Sequence, residues 1–332
     1  MTEVRWGVLS TARIGSVVVR ATRRARLARF VAVASRSDAA ARQFAEEHDL
    51  EESYGSYEQL LGSDSVDAVY VCVPNTLHSE WTIRALEAGK HVLCEKPFAL
   101  RPEDGASAFD VAEQAGLVCV EGLMYRHHPQ TMLVRRLLDE GAIGALKHVR
   151  AALTVRIEKE DIRRDRALGG GALTDLGCYC ASAARLFAGN PSRVFAEAVR
   201  DSNGIDTHLA ATMRQPRDVI TQFDIGFDLP RRDELELVGT EGAITVTDPW
   251  LCRNETIELR RDGQSEKRPV DPEGRYALAH DDHDVYRIEL DAISEAITGG
   301  AQLPFGRTDA IEQARLLKAL SDSSLRSQPV AM

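Results

Sequence analysis

Residues 65–95 read SVDAVYVCVPNTLHSEWTIRALEAGKHVLCE, and the alternation inside this stretch decides the fold. Residues 65–74 form an apolar, β-branched run closed by Pro74, the pattern of a buried strand. Residues 77–88 carry helix-forming residues at helical spacing, with Gly89 in the stop position. HVLCE at 91–95 is a second apolar run, so the stretch reads as strand, helix, strand. Two strands joined through a helix of this length lie parallel in one sheet.

Upstream, VRWGVLS at 4–10 is followed by a helix running to about Leu27. FVAVAS at 30–35 is followed by a second helix over 38–48. Downstream, a helix over 103–115 leads into the strand LVCVE at 117–121. Residues 1–122 are therefore expected to form an α/β domain on a parallel, doubly wound sheet.

The pattern then changes. A helix near 129–140 precedes residues 149–157, where Val149, Ala151, Leu153, Val155 and Ile157 share one face and Arg150, Thr154 and Arg156 the other. Period-2 alternation marks a sheet with only one face buried, as antiparallel sheets commonly have. Further strands are expected at 193–200, 207–213, 218–227 and 233–248, the last a hairpin turning at Gly239-Thr240-Glu241-Gly242. Tyr286, Leu290, Ile293 and Ile297 then mark a helix, and another spans about 308–325. Residues 123–332 thus read as an α+β domain with a large, mostly antiparallel sheet, whose final helices could pack back on the first domain.

The 332 residues are 44% hydrophobic and 28% charged, with a net charge of −10 and no long like-charged runs, as in a folded chain with real cores. The acidic balance argues against nucleic acid or an anionic membrane as partner. No apolar run approaches the roughly 20 residues of a membrane-spanning helix, and residues 1–10 lack a secretory pattern, so the expected location is cytoplasmic. Six cysteines, three of them in apolar strands, read as small buried hydrophobes rather than a disulfide framework.

The first strand-helix junction, Ser10-Thr11-Ala12-Arg13-Ile14-Gly15, stands where a dinucleotide fold has its glycine-rich turn. Only the third glycine is present, but serine and alanine are small enough to let a pyrophosphate approach backbone N–H groups. The second strand ends at Ser35-Arg36-Ser37, where an NAD site would carry aspartate or glutamate for the ribose 2′-hydroxyl. A guanidinium there suits a 2′-phosphate, so NADP(H) is expected over NAD(H). Val73-Pro74-Asn75 with His78, and Glu95-Lys96, follow the next two strand ends, where open α/β sheets bind ligands. A lysine at such a position could stabilise developing alkoxide charge; a surface pair with Glu95 is its structural alternative.

In combination, LSTARIG (9–15), SR (35–36), VPNTLH (73–78), GKHVLCEKPFAL (89–100) and GGGALTDLGCY (169–179) resemble the Gfo/Idh/MocA oxidoreductase family over nearly the whole chain. The resemblance implies a Rossmann domain followed by a domain on a largely antiparallel sheet. It implies Lys96 as catalytic lysine, Pro97 as a proline often preceded by a cis peptide, and Asp175 and Tyr179 as the rest of the centre. The tyrosine, where many relatives have histidine, resembles the branch of glucose-fructose oxidoreductase, dimeric dihydrodiol dehydrogenase, xylose dehydrogenases and deoxysugar ketoreductases. Arg163 matches a position near cofactor or substrate in that branch, with a salt bridge as its alternative. Residues 124–130 could line a sugar pocket or start a helix with solvated histidines.

The expected function is NADP-dependent hydride transfer to or from a secondary alcohol, ketone or hemiacetal of a sugar, sugar derivative or dihydrodiol. A nucleotide-sugar ketoreductase and a non-catalytic NADP-binding regulator are the alternatives. A homodimer or homotetramer through the second sheet is implied by the resemblance. His280 and His283 lack third and fourth ligands at recognisable spacing, so no metal is expected.

Overall fold

A computed structural model describes residues 3–299 and 302–332. The chain divides into two compact units, one holding the chain up to Met124 together with His283–Ile311, the other Tyr125–Asp282 and Glu312–Met332.

In the first unit, six strands lie parallel among the described residues: β1 (Val4–Leu9), β2 (Ala28–Ala34), β3 (Glu52–Tyr54), β4 (Ala68–Val71), β5 (His91–Glu95) and β6 (Cys119–Gly122). Their order, β3-β2-β1-β4-β5-β6, reverses direction between β1 and β4, the crevice where dinucleotide-binding sheets take their ligand. Helices α1 (Arg13–Ala21), α2 (Asp38–His48), α3 (Tyr57–Leu61), α4 (His78–Glu87) and α5 (Pro102–Ala115) connect them. The strands are buried almost throughout, as a sheet covered on both faces requires. The first helix ends at Ala21, short of the expected Leu27, because Thr22–Arg24 tighten into a 3₁₀ turn. The strand expected over 65–74 pairs only at Ala68–Val71. β3 and α3 were not expected: β3 has three residues, too few to show a period.

The second unit holds α6 (Pro129–Asp139), β7 (Leu146–Thr154), α7 (Cys178–Ala188), β8 (Arg193–Arg200), β9 (Asp206–Arg214), β10 (Ile220–Gly226), β11 (Arg232–Gly239), β12 (Gly242–Thr247), β13 (Thr256–Arg261), β14 (Gln264–Pro269) and β15 (Val330–Ala331). Among the described residues the nine strands form one sheet, order β14-β13-β12-β11-β7-β10-β9-β8-β15, antiparallel except where β7 runs parallel to β10. β7 begins and ends three residues earlier than its alternation predicted. Val155 and Ile157 continue through single backbone bonds to Gly226 and Phe227, both 2.9 Å. Thr154 departs from its expected exposed face: it is fully buried, its hydroxyl donating to the Pro230 carbonyl. The other face of the sheet is lined with charge, Arg232 pairing with Asp224, and Arg150 lying 3.7 Å from Glu236.

Helix α8 (Asp284–Ile297) then returns to the first unit and packs on α1 and β2. There Asp291 accepts from the Arg26 and Leu27 N–H groups at 2.8 and 2.9 Å, and Ser294 accepts from the Trp6 indole at 3.1 Å. Helix α9 (Arg307–Arg326) closes the chain before β15. No described helix is long and apolar enough to cross a membrane. All six cysteines are free and buried.

Candidate active site

At the end of β1, Ser10 has φ 113°, a region serine rarely adopts, and its hydroxyl accepts from the Ala12 N–H at 3.1 Å. This serine makes the turn that glycine makes in the usual motif. Gly15 keeps the third glycine's role: a Cβ there would lie 3.3 Å from Val8 and 3.4 Å from Cys72, so its absence lets α1 approach the sheet. Ala12 caps α1 without a side-chain bond, and the first turn has no acidic residue. These features fit a phosphate at the helix N-terminus.

Arg36 is exposed at the end of β2 and makes no hydrogen bond or ion pair with described residues. Beside it, the Ser35 hydroxyl accepts from the Ser37 N–H, and Ser37 caps α2 through Ala40, both at 3.3 Å. Asp38, the first carboxylate after Arg36, pairs with Arg42 instead. The donor set at this strand end fits a phosphate ester better than a neutral hydroxyl.

Beyond β4 and β5 the two strand-end loops are tied together. His78 is 1% exposed, its Nδ1 2.8 Å from the Pro97 carbonyl oxygen and its Nε2 2.9 Å from that of Val73. Its ring thus contacts backbone through both nitrogens, whereas the sequence placed it among cofactor ligands. The Lys96–Pro97 peptide is cis. Glu95 accepts from the Lys96 N–H at 3.1 Å and from the Tyr70 hydroxyl. Burial, then the charge of Glu95, pushes the Tyr70 phenol well up, so it stays a donor. Glu121, 7% exposed on β6, accepts from the Phe98 N–H at 2.9 Å.

In the second unit, Leu173–Gly177 form a π-helical turn leading into α7. Wider turns of this kind often occur at functional sites. Asp175 lies in the turn and Tyr179 in the first turn of α7. Asp206 anchors the entry: its carboxylate accepts from the Leu173 N–H at 2.6 Å, and burial pushes its pKa up to about 6. Gly170 and Gly171 let the chain approach itself closely: a Cβ on Gly170 or Gly171 would lie 2.4 Å from the Arg163 carbonyl oxygen or Asp206, respectively. Gly170 and Gly171 donate to the Asp165 and Arg163 carbonyls, both at 2.9 Å.

Arg163 grips Asp161 through two bonds of 2.9 and 2.8 Å, and its Nη1 lies 3.6 Å from Asp175. Its guanidinium is thus engaged by carboxylates, the salt-bridge alternative of the sequence reading. Around Tyr179, 9% exposed, stand Tyr125 and Trp250 with ring centroids 6.2 and 5.7 Å away. Gln313 holds the start of α7 by donating to the Cys178 carbonyl at 2.8 Å. His127 and His128, solvated in one of the two readings of this stretch, are buried. Desolvation, then Arg126, brings His127 down to about 4, while His128 caps α6 by accepting from Gln130 N–H at 3.2 Å. Trp250, Asp206 and Glu121 escaped the sequence reading because each follows, begins or interrupts a strand without a recognisable motif.

Comparison with known proteins bears on the family and the fold. Residues 4–123 match the family described as "Oxidoreductase family, NAD-binding Rossmann fold", and residues 131–245 match the "GFO/IDH/MocA C-terminal domain". A D-xylose 1-dehydrogenase (NADP(+)) of Haloferax volcanii is 34% identical, covering 96% of this chain and 97% of that protein. The trans-1,2-dihydrobenzene-1,2-diol dehydrogenase of Homo sapiens is 29% identical over 81% of each chain. A 3-ketoreductase of Actinomadura kijaniata, solved with NADP and TDP-benzene, superposes with a TM-score of 0.87 at 31% identity, covering 97% of this chain and 98% of that one. On this evidence of sequence and fold, the chain belongs to the Gfo/Idh/MocA family of oxidoreductases.

Proposed function

We propose that this protein is an NADP-preferring oxidoreductase acting on a secondary alcohol, ketone or hemiacetal of a sugar, sugar derivative or dihydrodiol. The observation that carries the reading is Arg36: an exposed guanidinium with no hydrogen bond or ion pair among the described residues, flanked by two serines, at the strand end where an NAD site would place a carboxylate. The NADP-linked xylose dehydrogenase and the NADP-bound 3-ketoreductase point the same way.

Bound NADP(H) supplies the hydride acceptor or donor. Ser10, Thr11, Ala12, Arg13 and Ile14 would hold its pyrophosphate at the start of α1. Ser35, Arg36 and Ser37 would take the 2′-phosphate, and Val73, Pro74, Asn75, Glu95 and Lys96 would border the nicotinamide. Tyr179 exchanges the hydroxyl proton of the substrate, and Lys96 lowers the cost of the charge that develops on oxygen. Asp175, steadied by Arg163, accepts a substrate hydrogen bond or orients Lys96. The aromatic rings of Tyr125 and Trp250 fix the phenol of Tyr179.

Initial rates with D-xylose, other aldoses and trans-dihydrodiols, each with NADP and NAD, test the reading. Turnover with at least one of these in the presence of NADP is expected; turnover only with a dTDP-linked keto sugar would favour a nucleotide-sugar ketoreductase, a reading supported by the fold shared with the TDP-benzene complex. NADPH binding without turnover of any of them would favour a regulator. The presence of Lys96, Asp175 and Tyr179 together speaks against that. The charged open face of the second sheet, a groove of 730 Å³ bordered by Arg150, Asp224, Arg232 and Glu236, is the surface through which a homodimer or homotetramer would form in the cytoplasm.

A further inference from the structure

The loop that carries Lys96 is held by side chains from three elements of the first unit. Glu95 on β5 takes the Lys96 N–H, Glu121 on β6 takes the Phe98 N–H, and His78 at the start of α4 faces the carbonyl of the intervening Pro97. His78 also reaches the neighbouring strand-end loop, through the Val73 carbonyl. Its buried ring therefore joins the β4 and β5 loops, both at the carboxyl edge of the sheet.

A neutral imidazole has one N–H and one lone pair, so of two facing carbonyls it can bond only one as donor. Burial holds His78 below its ordinary pKa, outweighing the two carbonyls that would favour a second proton. Pro97 and Val73 are both buried and each carbonyl calls for a donor; the Nδ1 contact to Pro97 is the shorter of the two.

We infer that His78 is a positioning residue for Lys96, its Nδ1–H donating to the Pro97 carbonyl and so fixing the backbone from which the lysine extends. The inference rests on the assignment of Lys96 as a catalytic residue. A displacement on the order of 1 Å in a reacting group can cost about 10²-fold in rate, and one bond on the next residue's carbonyl can control such a displacement. The ring touches backbone through both nitrogens, so its loss should appear in kcat rather than in cofactor affinity.

Two substitutions separate the two contacts. An asparagine amide can place its N–H₂ near the Nδ1 position, whereas a glutamine amide reaches towards Nε2. His78→Asn is expected to keep the Pro97 bond and most of kcat; His78→Gln is expected to lose it, with kcat falling by about 10²-fold and the Kd for NADPH unchanged. Equal loss in both variants, no loss in either, or a loss that appears in the NADPH Kd would overturn the inference. Lys96→Met, assayed alongside, distinguishes the underlying reading: full turnover there overturns the role of Lys96 itself, whereas loss there with equal Asn and Gln variants overturns only the role of His78. Should His78→Gln not fold, nitrogen NMR of the histidine-labelled wild-type protein decides. A protonated Nδ1 on His78 supports the inference, and an unprotonated Nδ1 overturns it.

Discussion

The guanidinium of Arg163 lies 3.6 Å from the carboxylate of Asp175 while its other nitrogens are committed to Asp161. An arginine with its fork filled by a carboxylate is poorly placed to hold a cofactor phosphate, but well placed to fix the next acidic group. Arg163→Met is therefore expected to lower kcat by roughly 10-fold or more while leaving NADPH affinity unchanged, because the loss falls on the orientation of Asp175. Arg163→Lys should recover part of the rate, keeping charge without the bidentate grip. Titration of NADPH beside steady-state kinetics checks this. A loss confined to NADPH binding would return Arg163 to the cofactor site.

Lys96→Met and Tyr179→Phe should each reduce kcat by on the order of 10²-fold or more. If lysine supports the proton exchange at tyrosine, the double variant should be little worse than the poorer single one, since residues acting as a unit are not additive. Circular dichroism establishes that each variant is folded. Near wild-type turnover in both single variants would refute the assignment.

Asp206 links the start of the Asp175–Tyr179 segment to pH. Its pKa is raised from the usual aspartate value of 3.8 to about 6 in the folded protein, so the folded state holds a proton that the unfolded state has lost between these values. Stability from this group is therefore complete below about pH 4 and is lost as pH rises to about 6, a difference of about 3 kcal/mol. Asp206→Asn keeps an acceptor for the Leu173 N–H without the buried charge. Relative to wild type, it should gain stability as pH rises from 4 to 7. Urea melts at several pH values measure this; a pH-independent difference would contradict it.

Gly170→Ala should destabilise the protein by about 1–3 kcal/mol, since its Cβ would fall 2.4 Å from the Arg163 backbone oxygen and no side-chain rotation relieves that contact. The same shift disturbs the segment holding Arg163, so kcat should fall as well. Thermal melts and turnover of the one variant test both effects, and an unaltered melt would refute the packing account.

The sequence was most legible where the chain repeats a simple pattern. Five of the six parallel strands stood out as apolar runs, α2 was expected at its observed bounds, and the β11–β12 hairpin turned at its glycines. The β13–β14 hairpin was missed because β14 reads QSEKRP, polar and exposed along nearly its whole length; the Asp262-Gly263 pair, both at positive φ, was the available signal. Lys96, Asp175 and Tyr179 were recognisable through motifs, and Arg36 through a missing carboxylate. The residues that hold them were not. Asp161, Asp206 and Glu121 act through contacts made only after folding, and nothing in their neighbours' spacing marks a buried carboxylate. The π-helical turn was equally hidden, since a short local pattern does not distinguish it from an α-helical one.

Whether this NADP-dependent oxidoreductase chooses its cofactor at Arg36 is decided by titrating the purified protein with NADPH and NADH and repeating both titrations with Arg36→Ala. NADPH should bind more tightly than NADH, and its binding should weaken by roughly 10- to 100-fold in the variant as one charged hydrogen-bonding partner is removed, with NADH binding unaffected. Equal or tighter binding of NADH by the wild-type protein, or NADPH binding indifferent to Arg36, would contradict it.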